Sequence, residues 1–395
     1  MTIEQKPSSF HKLLFFWVFI SILPQFLQLT RDDAAGTVLK ELSIFLLVVI
    51  ASFQGLVKKR VLRASRFFGL AVFMVIQVIS NFYINSGSGT DEYISIIISL
   101  LFYYIFFCQY DKEQISRQQL LSLARMFEYL LLYVCMMNFF LYGKQMIPLL
   151  TTYHADVYNI DSVFFNRTNF ASFLLVCIIM VSIRLHYHQG NRLFQWGLLL
   201  LGAFNMLLTL ARTSIFALLV FAIFMFLYKK RDMLMQRMPM LIAIILLISI
   251  VLNASGAMGF VIKVVLRPQS GLTHRDSIWG HLLSAFRNAG FSQMLFGLGY
   301  RYPLEAHNTI LGTIEKFGLL GLGFYLTIYI QTLGSIRRIW QRDRNLGVFF
   351  TIVFVTFWAT SFTEEFTPFM SSSMSVIWTL VGVLLPKYYA NNLEG

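Results

Sequence analysis

Four clusters in the sequence combine residue types that hold anions or move protons. Phe164-Phe165-Asn166-Arg167-Thr168-Asn169-Phe170 sets a guanidinium between two carboxamides. That set suits a polar pocket, although an arginine in such a place also serves to reach a membrane interface. Leu208-Thr209-Leu210-Ala211-Arg212-Thr213-Ser214 puts Arg212 inside the apolar stretch 195–228. The stretch is too long for one span, so it turns near Arg212; an ionisable residue there marks either the turn or a functional site. His274-Arg275-Asp276-Ser277-Ile278-Trp279, with His281, places an arginine one helical turn from an indole. A phosphate with a sugar stacked beside it fits that pair, and an interfacial amphipathic helix is the plainer alternative. The fourth cluster runs from Gly297-Leu298-Gly299-Tyr300 through Glu305-Ala306-His307-Asn308-Thr309 to Glu315 and Gly318-Leu319-Leu320-Gly321. A neutral imidazole at His307 can take a proton from a hydroxyl near neutral pH. Residues 307, 311 and 315 share one helical face, with Glu315 about two turns below His307. A histidine that only starts the helix is the competing reading.

A membrane must position these clusters. The chain is 57% hydrophobic and 13% charged, too apolar for a soluble protein of 395 residues. Continuous apolar runs recur along its length, which fits helices and not the alternating pattern of a membrane barrel. About twelve spans are expected: 13–30, 38–57, 67–84, 93–110, 126–142, 168–185, 195–210, 213–228, 239–253, 308–334, 346–362 and 369–386. The first is read as a span and not as a removed signal. The net charge of +13 does not call for nucleic acid. With both termini inside, the inner segments carry 21 Lys/Arg against 7 Asp/Glu, and the outer ones 11 against 12. That is the positive-inside bias. The inner loops are 58–66, 111–125, 229–237 and 336–344 among others. Two outer loops, 143–167 and 254–307, are longer than connection requires, and the helical spacing of residues 271–289 predicts that the second is folded. Residues 1–395 thus read as one all-α, polytopic membrane domain with 254–307 as its main extracytoplasmic loop. Cys108, Cys135 and Cys177 lie in apolar runs and form no zinc or disulfide pattern.

The order FFNRTNF, LTLARTS, HRDSIW, GLGY and HNTILGTIEKFGLLG resembles the O-antigen ligase and Wzy-type polysaccharide polymerase superfamily. The resemblance is densest over about 160–330; the first 140 residues contribute only a hydrophobic profile. It implies a C-type membrane glycosyltransferase of the bacterial inner membrane, using an undecaprenyl-pyrophosphate-linked oligosaccharide outside the cytoplasm, with no metal and no cofactor. It implies Arg212 and Arg275 on the pyrophosphate, Arg167 in support, and His307 as the base on the acceptor hydroxyl. Asn166, Asn169, Trp279, Tyr300, Asn308 and Glu315 complete the implied substrate site. The absence of an Asp-x-Asp motif in the sequence agrees with metal-independent transfer.

A polymerase passes the glycan to another lipid-linked repeat unit, and a ligase passes it to lipid A-core. The FFNRTNF segment and the compact loop before His307 favour the polymerase. It leaves room for a chain-length regulator as a partner. A flippase for the same lipid-linked sugars is the alternative of another class. It predicts cations deep along a central cavity, whereas Lys and Arg here sit mainly near span ends.

Overall fold

The computed structural model describes residues 9–26, 46, 49–50, 53, 64–80, 90–151, 167–209, 211–229, 275–299, 306–362, 364–370 and 373–393. Every regular element among them is helical. In chain order these are α1 (Ser9–Phe26), α2 (Ala64–Val78), α3 (Thr90–Tyr103), α4 (Arg117–Thr151), α5 (Arg167–His186), α6 (Arg192–Leu208) and α7 (Arg212–Lys229). Then follow α8 (Arg275–Arg287), α9 (Phe291–Phe296), α10 (Thr309–Arg342), α11 (Arg344–Ser361), α12 (Ser373–Trp378) and α13 (Leu385–Asn392). Tyr104–Gln109 and Thr379–Leu384 are π-helical continuations of α3 and α12.

Among the described residues, four helices are long and apolar enough to cross a bilayer: Arg117–Lys144, Arg167–His186, Thr309–Arg342 and Arg344–Ser361. At 1.5 Å per residue, the shortest of these reaches about 27 Å, close to the hydrocarbon thickness of a membrane. Shorter apolar helices accompany them at Phe10–Phe19, Phe68–Val78, Ile96–Gln109, Arg192–Leu208 and Arg212–Phe226. Their outward faces are apolar. On α6, Leu193, Trp196, Leu200, Phe204 and Leu207 are exposed at helical spacing while Gln195, Leu198, Gly202 and Asn205 are buried. Water would penalise such a stripe, and lipid would not. The chain is a helical protein built for a membrane.

Local signals explain where these helices begin. Ser116 and Gln119 form a reciprocal cap, each side chain accepting from the other's amide at 3.2 and 2.9 Å, so α4 starts at Arg117. Asn191 caps α6 through the amides of Leu193 and Phe194. Asp343 alone separates α10 from α11 and accepts from Leu346 N at 3.2 Å. Arg117 (2.6 Å) and Tyr389 (3.0 Å) also donate to the Asp343 carboxylate. Burial opposes its charge, but these donors outweigh burial and hold the carboxyl below its ordinary value.

Three expected boundaries move. Of the inner loop 111–125, residues 117–125 are helical. Residues 143–151, expected as the start of the outer loop, are helical. The connection 336–344 is helical except at Asp343. A helix carries its own hydrogen bonds past the bilayer edge, so charged residues there do not end it. The expected spans 38–57 (apart from a few positions) and 239–253 lie outside the described residues.

The described residues fall into two compact units. One comprises the chain up to Met126, Ser277–Phe350, and Ser361 onward; the other comprises Phe127–Asp276 and Thr351–Thr360. In the second unit α5 packs against α6 and α7 and is buried almost all round, Phe170 to Val181 without a break, as its uniformly apolar sequence requires. Asn138 donates to Asn205 at 3.2 Å within this bundle. Arg184 pairs with Glu128, which also accepts from Gln195 at 2.6 Å. Such internal polar pairs fasten helices whose outer faces meet lipid. In the first unit Phe73 of α2 stacks on Phe324 of α10 at 4.9 Å, and Tyr388 donates to the Phe106 carbonyl at 2.7 Å.

Candidate functional site

The head of α10 is the most elaborated point of the first unit. Asn308 is extended (φ −156°, ψ 124°) and acts as the cap, its Oδ1 accepting from Ile310 N at 2.9 Å and Leu311 N at 3.0 Å. His307 is therefore outside the helix. It is half-buried and has φ +46°, a left-handed conformation uncommon for a residue with a Cβ. The expectation that 307 shares a helical face with 311 and 315 is corrected on this ground. Backbone held there costs on the order of 1–3 kcal/mol and persists where neighbours over-determine it. Neighbours on both sides do so here. Trp279 donates its indole N–H to the Ala306 carbonyl at 2.8 Å, and Asn308 Nδ2 donates to the Phe362 carbonyl at 3.0 Å.

The Gly-Leu-Gly segment joins the same helix further down. Gly318 leaves helical geometry (φ 65°, ψ −163°) and kinks α10. Leu298 N and Gly299 N donate to the Glu315 carbonyl, and Ser80 donates its hydroxyl to the Lys316 carbonyl. A Cβ on Gly297 (φ +94°) would come within 2.6 Å of the Lys316 oxygen, and one on Gly318 would strike the Leu295 carbonyl. Two backbones touch here, and only glycine admits that contact.

Sequence reasoning missed the segment 361–370. Thr309 Oγ1 donates to the Glu364 carbonyl at 3.0 Å and accepts from Phe366 N at 2.9 Å. The Thr313 and Thr367 hydroxyls lie 3.3 Å apart. Glu365 pairs with Lys316, and its carboxylate covers Gly312, where a Cβ would sit within 2.8 Å of both oxygens. Carbonyl acceptors have no sequence signature. The adjacent Glu364-Glu365 pair at a span boundary was the readable sign.

The arginines are placed as follows. Arg167 and Arg212 are the first residues of α5 and α7, and both are half-buried. The helices α5 and α7 are neighbours. They pack together, with the Ser172 and Ser214 hydroxyls 3.3 Å apart. Counting back at 1.5 Å per residue, Arg167 lies about 7.5 Å and Arg212 about 3 Å along the axis from that hydroxyl pair. The two guanidinium-bearing residues thus head neighbouring helices at one end of the bundle. The helix N-termini add roughly half a positive charge each. Such an end attracts an anion with two forked donors. Asn169 is half-buried in the first turn of α5.

Arg275 is the half-buried first residue of α8, one turn before Trp279. Through the Trp279–Ala306 bond, α8 is fastened to the residue preceding His307. The indole N–H is thereby committed, and the ring stays half-exposed. Asn308, 6% exposed, is occupied as cap and tether, and Glu315, 2% exposed, is sealed away. Asn166 and Tyr300 lie outside the described residues, as does half of 254–307. The arginine pair and the α10 head belong to different compact units. Among the described residues no group of three or more His, Cys, Asp or Glu could hold a metal.

No protein-family model matches the chain, and none of the curated proteins aligns with it significantly.

Proposed function

We propose that the chain is a Wzy-type polysaccharide polymerase: a membrane glycosyltransferase of about twelve spans in the bacterial inner membrane, acting on the extracytoplasmic side. Its donor is an undecaprenyl-pyrophosphate-linked glycan and its acceptor the terminal sugar of another lipid-linked repeat unit. The observation that carries this reading is the side-by-side placement of Arg167 and Arg212 at the heads of α5 and α7. A pyrophosphate leaving group needs that kind of end, where fixed positive charge meets the charge developing on the departing oxygens. Arg275 joins them in the proposal. The acceptor hydroxyl attacks the anomeric carbon, the bond from that carbon to the pyrophosphate oxygen breaks, and the hydroxyl proton passes to His307. Undecaprenyl pyrophosphate departs with the electron pair. The fixed, left-handed placement of His307 supports its role, because a base must be held where the hydroxyl arrives.

The test uses Arg212→Ala, Arg212→Lys and His307→Ala at matched membrane abundance, scoring surface polymer and lipid-linked intermediates. One guanidinium contact to a charged oxygen is worth about 1.5–3 kcal/mol, so Arg212→Ala cuts transfer by roughly one to two orders of magnitude. Lysine restores it only in part, because it keeps the charge and loses the fork. A polymerase lesion accumulates single repeats on the lipid carrier outside. Accumulation of finished polymer on the carrier identifies a ligase, and single repeats trapped inside identify a flippase. Full polymer from all three variants refutes the assignment.

A further inference from the structure

The first unit contains a cavity of about 680 Å³ among Phe107, Asp111, Lys112, Ile328, Arg338 and Lys387, with Gly334, Ser335 and Val383 also on its wall. It lies well away from the head of α10. Ser335 is 17 residues beyond the Gly318 kink, about 25 Å along the helix. Its charged residues come from 111–112, 338 and 387, segments that the charge bias places in the cytoplasm. The reaction proposed above makes no use of it.

The lining has a surplus of positive charge. Asp111 is neutralised by Lys387 at 2.6 Å, and the Lys387 ammonium also stands 3.8 Å above the Phe107 ring. Among the lining residues, three cations, Lys112, Arg338 and Lys387, stand against one carboxylate, Asp111, and Lys112 and Arg338 are exposed. Arg338 Nη2 donates to Ser335 Oγ at 3.1 Å, which steadies the guanidinium beside the cavity. Two wall residues, Phe107 and Val383, belong to the two π-helical segments, a departure from regular winding that often accompanies functional sites. On the same stretch of α10, Ile330 and Leu333 are 67% and 47% exposed, so the cavity lies beside a surface suited to acyl chains.

We infer that this cavity binds a phosphate-bearing anion, the headgroup of an anionic phospholipid of the inner leaflet. Basic pockets between membrane helices on the cytoplasmic side are suited to such headgroups. A volume of about 680 Å³ exceeds what a bare phosphate fills and suits a headgroup with the start of its chains.

The experiment uses the full chain purified in a neutral detergent, following the thermal unfolding midpoint as ligand is added. The ligands are short-chain phosphatidylglycerol, short-chain phosphatidylcholine and inorganic phosphate. Phosphatidylglycerol raises the midpoint saturably, and the other two do not. Lys112→Ala and Arg338→Ala each weaken the apparent affinity by about tenfold or more, the usual worth of a charge-assisted contact. Gly334→Leu supplies the steric control. A Cβ at Gly334 meets nothing within 4 Å, and leucine favours the helix, so the variant folds while adding bulk at the cavity wall. It abolishes the shift. If inorganic phosphate protects as well as phosphatidylglycerol, the anion site stands and the lipid assignment falls to a soluble phosphate compound. Equal protection by phosphatidylcholine, or wild-type affinity in Gly334→Leu, overturns the inference.

Discussion

Cutting the Glu128–Arg184 pair from either side should give unequal damage. Both partners are buried, with side chains 7% and 4% exposed, and Gln195 donates to the carboxylate from a third helix. Removing one partner of a buried pair costs about 3–5 kcal/mol, because the other charge is left uncompensated. In Glu128→Leu the stranded group is a guanidinium, which cannot shed its proton. Arg184 lies in the last turn of α5, where the helix end favours a cation by about 0.3–1 kcal/mol. Subtracting that gives a loss of about 2–4.7 kcal/mol. In Arg184→Met the stranded group is a carboxyl, which can bind a proton and go neutral while still accepting from Gln195. Its cost falls to about 1–3 kcal/mol, the range for a disturbed buried hydrogen bond. The double variant Glu128→Leu/Arg184→Met strands neither charge and should unfold near the wild type. Denaturant titration in mixed micelles, followed by tryptophan fluorescence, measures all four proteins and the coupling between the sites. Strictly additive losses in the double variant, or Arg184→Met costing more than Glu128→Leu, refute the reasoning.

Asn308→Ala should lose about 2–4 kcal/mol by removing the cap and freeing the Phe362 carbonyl, whereas Asn308→Asp keeps the cap and loses less. Thermal unfolding of the two variants compares them, and equal losses would contradict the division of labour. Gly318→Ala should cost at least about 1–3 kcal/mol at φ 65° and release the 297–299 segment from α10, read as new protease cleavage there. An unchanged digest would disprove the docking. Asp343 is held below the ordinary carboxylate value, so its contribution is present above the unfolded value near 3.9 and is lost as pH falls through the folded one. Asp343→Asn should therefore flatten the acid limb of stability below about pH 5; an unaltered limb would show that Asp343 does not shape it.

Much of this architecture could be read from residue order. The break at Arg212 follows from an apolar stretch too long for one crossing, and α6 and α7 do end and begin at Leu208 and Arg212. The boundaries of α11 fall within two residues of expectation for the same reason. Hydropathy failed where helices continue through more polar sequence, as at 117–125 and 143–151, because it reads side-chain polarity and not the backbone ladder. The Ser116–Gln119 cap was a local sign of the first case. Around His307, the two glycine motifs were visible as letters, but not that Gly297 and Gly318 are each other's reason. The contribution of 361–370 was hidden because it acts mainly through the carbonyls of Phe362 and Glu364, which every residue possesses.

The clasp at Asp343 has a consequence for biosynthesis. Its partners, Arg117 and Tyr389, are separated by most of the chain. The ribosome delivers them at very different times, so the clasp cannot close until residue 389 has emerged. The Glu128–Arg184–Gln195 cluster is complete as soon as residue 195 has been made. The α4–α6 bundle can therefore set while translation continues, whereas in the first unit early contacts such as Trp17–Phe102 and Phe73–Tyr103 form first and the clasp closes last. Asp343 also leaves no slack between α10 and α11, which favours their entry into the bilayer as one hairpin. An epitope inserted at that residue should stall assembly at its last step, leaving a chain that is inserted but easily degraded.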